Sequence, residues 1–354
     1  MRRLLVVLVV LALLGAGGYA GWRAIRHHTA STTTTSSAPT TTTTMSPIAP
    51  LTGLPDPGGG ALTRPAMTVK IENTPEAMPQ RGIDQADDIY EEICEGGITR
   101  LAAIFNSQVP SVVGPIRSVR RTDHSIVWPL GGLFVYSGGA AYAVRSIDTA
   151  PVHTEDETTA GDAMFRDDNG RIAPNNLYGW TAKLFALGGT PVPPAPLFTY
   201  RRASASVGGV PVKSFIVGFG AGYTVSYNWN ATTSSWNRYQ FQAPDKTWNG
   251  TWLSPKNVIV MDVQYQGGVG ELGSQAVMVG TGTSYVFTDG HEIAGTWQRS
   301  SLSQPAKYLN HNGQVIALTP GQTWVELLYV GDPLTVTPVP PAATTTSSPS
   351  STNG

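Results

Sequence analysis

The sequence predicts an α+β fold, in which an N-terminal mixed α/β domain precedes a mainly antiparallel β domain, a sandwich or partly closed barrel. Three observations carry that reading. Between residues 67 and 147, short strand-like runs interleave with stretches of helical spacing. Between 213 and 328, every apolar run has strand length and is bounded by turn residues. Residues 188–196 (GGTPVPPAP) part the two regions, because closely spaced prolines forbid a helix or a central strand.

In the first region, 67–72 (MTVKIE) alternates as a strand and Asn73-Thr74-Pro75 ends it. Residues 89–94 and 98–105 read as a strand pair turning at Glu95-Gly96-Gly97. A helix is expected over 118–129, a strand over 133–136 and a short helix over 140–147. In the second region strands are expected at 213–219, 223–229, 236–241, 257–263, 276–279, 284–287, 293–299, 314–318 and 323–328. Asp289-Gly290 and Asn312-Gly313 stand where hairpin turns need positive φ.

The ends of the chain carry a different message. Residues 4–22 are an unbroken apolar run framed by arginines. At about 1.5 Å per residue such a helix is roughly 28 Å long, close to the ~30 Å hydrocarbon core of a bilayer. Residues 1–22 therefore read as a single-pass signal anchor, with everything after Trp22 outside the cell; cleavage and secretion is the alternative. Residues 23–47, rich in Thr, Ser and Pro with almost no apolar content, form a solvated tether, and 337–354 a second disordered tail. This leaves domains at 48–187 and 197–336 around the 188–196 linker. Charged residues are 13% of the chain and the net charge is −1, so no field draws in nucleic acid. The single cysteine, Cys94, excludes an intrachain disulfide and reads as a small buried hydrophobe.

The densest chemistry lies between residues 84 and 124. Asp84, Asp87, Asp88, Glu91, Glu92 and Glu95 come first, then Arg100, Arg117, Arg120 and Arg121, and finally Asp123-His124. Ser118 stands where a helix N-cap belongs, and extending the spacing back one residue puts Arg117, Arg121 and Ser125 on one face. Arginines beside a helix start suit a phosphate or carboxylate, since guanidinium groups bind such anions bidentately. The competing reading pairs the same arginines with the acids just upstream as a structural ion network.

The blocks RPAMTVKIEN, MPQRGIDQADDIYEEICEGGITRLAAIF, VGPIRSVRRTD and APNNLYGWT resemble the YerB-like family of bacterial lipoproteins. In the second region NVIVMDVQY, GTWQRSS and NGQVIALTPGQTWVELL extend the likeness. The resemblance implies a two-domain extracytoplasmic protein and brings no activity with it. It also marks two departures: the family's lipid-attachment cysteine is replaced by an apolar run and tether, and Asn175 stands where many members have histidine.

Catalytic patterns are sparse. His291-Glu292 opens like a zinc-protease helix, but Gly295 occupies the second histidine position. Five tryptophans, Trp236, Trp248, Trp252, Trp297 and Trp324, offer either a sugar-stacking surface or cross-strand packing. The leading expectation is a binding or scaffolding module that engages an anionic envelope polymer or an envelope protein through Arg100, Arg117, Ser118, Arg120 and Arg121. Asp88, Glu91, Glu92, Glu95, Asp123, His124, Asn175 and Asn176 are then its ion-pair or acid/base partners. Two alternatives stay open: an enzyme acting on envelope glycans or phosphodiesters, with Glu91, Glu92 or His124 moving protons, and a purely structural envelope protein. No metal or cofactor is expected.

Overall fold

In the computed structural model, residues 46–340 are described, apart from 168–169, 189–190, 203–204 and 221. The expected anchor, the tether up to residue 45 and the tail from 341 lie outside the described residues; the expected tail begins later than residue 337, because Thr337 and Pro338 belong to the strand Leu334–Pro338. Among the described residues no helix is long and apolar enough to cross a membrane.

The fold is α+β. Its described helices are Arg121–Val127 (α1), Ala141–Ile147 (α2) and Thr181–Leu187 (α3), set against a sheet of fifteen strands. The first half of the chain supplies Met67–Glu72 (β1), Asp88–Ile93 (β2), Thr99–Phe105 (β3), Leu133–Val135 (β4) and His153–Glu155 (β5). The second half supplies Val210–Gly218 (β6), Thr224–Asn230 (β7), Ser235–Gln240 (β8), Ala243–Pro244 (β9), Asn257–Val263 (β10), Gly280–Thr288 (β11), His291–Arg299 (β12), Lys307–Asn310 (β13), Thr323–Tyr329 (β14) and Leu334–Pro338 (β15). The order is β9-β8-β7-β6-β12-β11-β10-β14-β2-β3-β1-β4-β5, with β13 beside β12 and β15 beside β6.

Most neighbours are antiparallel. The parallel ladder of β14 on β2, running from Thr323↔Asp88 to Leu327↔Glu92, joins strands of the two halves in one sheet. Strands β1, β2 and β3 are buried along their whole length. Alternation then has an unusual consequence: Met67, Val69 and Ile71 enter the apolar core, while Thr68, Lys70 and Glu72 are buried on the opposite face. Each fully buried Val, Leu or Ile contributes about 1.5–3 kcal/mol, which sets the scale against which buried charges are tolerated.

Several expected elements shift. The strand pair at 89–105 and the Asp289-Gly290 turn are present, the latter with φ of 49° and 75°. The helix expected from Ser118 starts instead at Arg121, because the Asp123 carboxylate accepts the Arg120 N–H at 2.7 Å and fixes the cap there. Residues 115–117 run alongside β1, Pro115 O accepting the Glu72 N–H and Arg117 N–H donating to Lys70 O. Ser118 is therefore no N-cap, and Arg117 lies off the helix face that its spacing to Arg121 implies. The strand expected at 314–318 reduces to isolated bridges at Val315 and Leu318. Strands β5, β13, Met164–Arg166 and Leu177–Trp180 are too short to announce themselves by alternation.

Candidate functional site

On one face of the central strands, the buried side chains form a closed series of charges. Lys70 projects from β1 with no exposed surface and bonds both Glu92 on β2 and Asp123 on α1, the latter at 2.8 Å. Ala102, opposite Lys70 on the intervening β3, keeps the path across the strand clear. Burial opposes the Lys70 charge, but Asp123 and Glu92 outweigh it and hold its pKa above the ordinary value. Asp123 is pushed up to about 6 by burial, against the pull of Lys70. At the end of β1, Glu72 accepts Arg117 Nε at 2.6 Å and faces Arg100 at 3.4 Å. Arg120 Nε meets Glu95 at 2.7 Å, and Arg120 Nη1 donates to the Ser118 and Val119 carbonyls.

The opposite face holds a second network, built around Arg238 on β8. β8 is far from β2 in strand order, yet the sheet curls until Arg238 Nη2 reaches Glu91 at 2.7 Å with both side chains fully buried. Arg238 Nη1 bonds Gln240 at 2.8 Å and also Asp245, its Nε donates to Tyr227 at 3.1 Å, and its guanidinium lies 4.4 Å from the Trp324 ring centre. Glu91 also accepts from Asn73 at 3.0 Å and Thr99 at 2.6 Å. Glu326 is the register partner of Glu91 on β14 and receives the Tyr227 hydroxyl. Burial, and then the neighbouring Glu91 carboxylate, raise the Glu326 pKa well above the ordinary range, so Glu326 holds its proton more tightly than a free carboxyl.

The structure thus brings together Arg100, Arg117, Ser118, Arg120, Glu92, Glu95 and Asp123, and sets Glu91 on the reverse face. Arg121 stands apart and donates to Gly273 O at 3.2 Å. His124 turns away from Asp123 toward Thr149 Oγ1 at 3.1 Å, as adjacent helical positions require, and burial lowers its pKa. Asn176 bonds Arg166 at 2.9 Å and the Arg171 carbonyl, just before the last strand of the small sheet formed by Val112–Val113, Met164–Arg166 and Leu177–Trp180. Asn175 is half-buried beside it. Asp88 is the odd member: it is wholly buried, neither carboxyl oxygen has a hydrogen-bond partner, and burial followed by Asp87 raises its pKa well above the usual range. Asp87 next to it accepts Asn106 N–H and Ser107 N–H at 2.5 and 2.7 Å, with burial pushing it up to about 6.

Lys70, Glu72, Arg238, Asp245 and Glu326 were not legible as partners. For Lys70, Glu72 and Glu326 the signal is a charge inside a run whose other members are buried, as in TWVELL; Asp245, flanked by exposed residues, and Arg238, between half-buried ones, carry no such signal. Chemically, the ensemble holds more acids than bases and meets solvent mainly along the Arg117–Glu95 edge, where the side chains are 24% and 29% exposed. The five tryptophans divide. Trp236, Trp297 and Trp324 are core residues, whereas Trp248 is exposed and Trp252 half-buried.

Comparison with known proteins fits this architecture. Residues 51–189 match the family described as "Protein of unknown function (DUF3048) N-terminal domain", and residues 215–325 match its C-terminal domain. A Bacillus subtilis (strain 168) protein described as "Putative lipoprotein YerB" is 33% identical over 130 residues, covering 37% of this chain and 39% of its own length. The chain thus matches about two fifths of that relative. The crystal structure of YerB from Bacillus subtilis superposes with a TM-score of 0.68 at 22% identity, over 80% of this chain and 96% of that one, which establishes a shared fold. From both family matches and the common fold, the chain belongs to the DUF3048 family of YerB-like proteins.

Proposed function

We propose that this protein is an extracytoplasmic binding module of the cell envelope, held at the membrane through residues 4–22 and spaced from it by the Thr/Ser/Pro tether. The lipoprotein description of the Bacillus subtilis relative supports the location. The observation that carries the module reading is the closure of the charged centre: Glu91 and Glu92 lie sealed beneath Arg238 and Lys70. An enzyme working on a polymer needs its acid and base within reach of the substrate, about 2.6–3.2 Å between heavy atoms. Buried, mutually bonded carboxylates serve a rigid scaffold better. An anion held by the arginines would have to displace Glu72 from Arg117 and Glu95 from Arg120, so contacts outside this centre suit a partner better.

Protease treatment of intact cells tests the location, and sedimentation of the full-length protein with isolated cell walls tests the module. The reading expects the folded body to be shaved from outside and wall association to survive Glu92→Gln. Protection of the body in intact cells would refute the location. Turnover of a wall polymer that is lost in Glu92→Gln would replace the module with an enzyme.

A further inference from the structure

We propose that the surface around Trp248 binds an uncharged, hydroxyl-rich glycan chain, an inference that rests on the envelope-module reading above. Two cavities of about 300 Å³ each adjoin there and share Asp84 in their walls. The first is lined by Arg81, Gln85, Ser111, Asn249 and Trp248, and the second by Thr251, Trp252, Ser254 and Gln322. Two linked compartments fit successive units of a chain better than a single small molecule.

Trp248 is presented rigidly. Its backbone N–H donates to Gln80 O at 2.8 Å, and Thr247 N–H to Thr251 O at 2.9 Å. Asn249 Oδ1 accepts the Thr247 hydroxyl at 2.6 Å and the Thr251 N–H at 3.0 Å. Trp248 as a whole residue is nonetheless 48% exposed, unlike the core tryptophans. Guanidinium groups of Arg81 and Arg171 already lie over the ring, at 4.5 and 5.6 Å from its centre, so a pyranose C–H face would lie against the part of the ring they leave open.

The cations around the cavities are already engaged within the protein, Arg171 by the Tyr178 hydroxyl at 2.6 Å and the Pro79 carbonyl at 2.9 Å. The Arg81 guanidinium lies 4.6 Å from the Tyr178 ring centre and 4.5 Å from that of Trp248, and its charge is taken up by Asp167 at 2.8 Å. Lys256 spends its ammonium on the Thr233 and Ser234 carbonyls at 2.6 and 3.0 Å. Asp84 makes no hydrogen bond or ion pair among the described residues, and its Oδ1 is buried without a donor. The other carboxyl oxygen, Oδ2, is the one that can accept from sugar hydroxyls, beside walls of amide and hydroxyl groups.

Calorimetric titration of the full-length protein with a hexamer of β-1,4-linked N-acetylglucosamine tests the inference, with polyphosphate as the anionic competitor. Saturable binding of the hexamer, untouched by polyphosphate, is expected. Trp248→Ala should weaken it by about tenfold or more. Asp84→Asn, which breaks no internal bond, should weaken it by roughly threefold or more with the unfolding midpoint unchanged. Absence of saturable binding in the parent protein, displacement by polyphosphate, or parental affinity in both variants would overturn the assignment. Wall sedimentation separates the two levels of the account: a protein that pellets with walls but ignores the hexamer loses the glycan site and keeps the module, whereas one that does neither loses both.

Discussion

Replacing Arg238 by methionine is the most informative perturbation of the interior. The side chain is fully buried and bonds Glu91, Asp245, Gln240 and Tyr227. Methionine fills similar space over Trp324 but leaves Glu91 and Asp245 buried without a counter-charge. Removing one partner of a buried ion pair costs about 3–5 kcal/mol. With a urea slope at the upper end of the small-protein range, about 3 kcal/mol per molar, the unfolding midpoint of the full-length protein should fall by about 1 M or more. A double-mutant cycle isolates the pair. Glu91→Gln in the Arg238→Met background should cost about 1–3 kcal/mol less than Glu91→Gln alone, because the carboxylate it removes is then unpaired. A cycle that closes additively, or an Arg238→Met cost below about 1 kcal/mol, would refute the claim that these charges hold one another in place.

Other outcomes follow from the same interior. Asp88→Asn should stabilise the protein increasingly with pH: the folded pKa is raised well above 3.8, so the native state keeps a proton that the unfolded state gives up as pH rises. The gap between variant and parent melts should be near zero below pH 3.8 and widen by up to about 1.4 kcal/mol per pH unit above it; a gap that shrinks with pH contradicts the argument. Lys70→Met, which strands Glu92 and Asp123, should cost about 3–5 kcal/mol by denaturant unfolding. Arg117→Ala at the partly exposed edge should cost only about 1 kcal/mol, since Arg100 stays beside Glu72; equal costs would undo the distinction between sealed and open pairs. Cys94 is buried and burial pushes its thiol up to about 12, so aromatic disulfide reagents should label it only as the protein unfolds. Fast labelling of the native protein would count against that placement.

What could be read in advance follows from range of interaction. The Glu95-Gly96-Gly97 turn and the Asp289-Gly290 hairpin depend on residues next to one another, and both stand where the local pattern puts them. The α1 cap was displaced because Ser118 satisfies the local preference while Asp123, already drawn inward to Lys70, also takes the Arg120 N–H. The ion pairs were only partly visible: of the acids just upstream Glu95 alone bonds one of the expected arginines, Arg120, while Glu91 and Glu92 pair with Arg238 and Lys70, and Lys70 and Glu72 alternate with Val69 and Ile71, a pattern that ordinarily places charges in solvent. Arg238 was invisible for the same reason, since Trp236, Arg238 and Gln240 share a strand face that is sealed only by the curl of the sheet. Trp248 and Trp252 could be separated from the core tryptophans only once the turn at Thr247–Thr251 was in place.

Thermal unfolding of the full-length protein against rising polyphosphate, at constant ionic strength, tests most directly whether Arg100, Arg117 and Arg120 are committed to their own carboxylates. A midpoint that stays level is the predicted result. A rise that saturates with polyphosphate and disappears in Arg117→Ala would show an anion site at the charged centre and contradict the account.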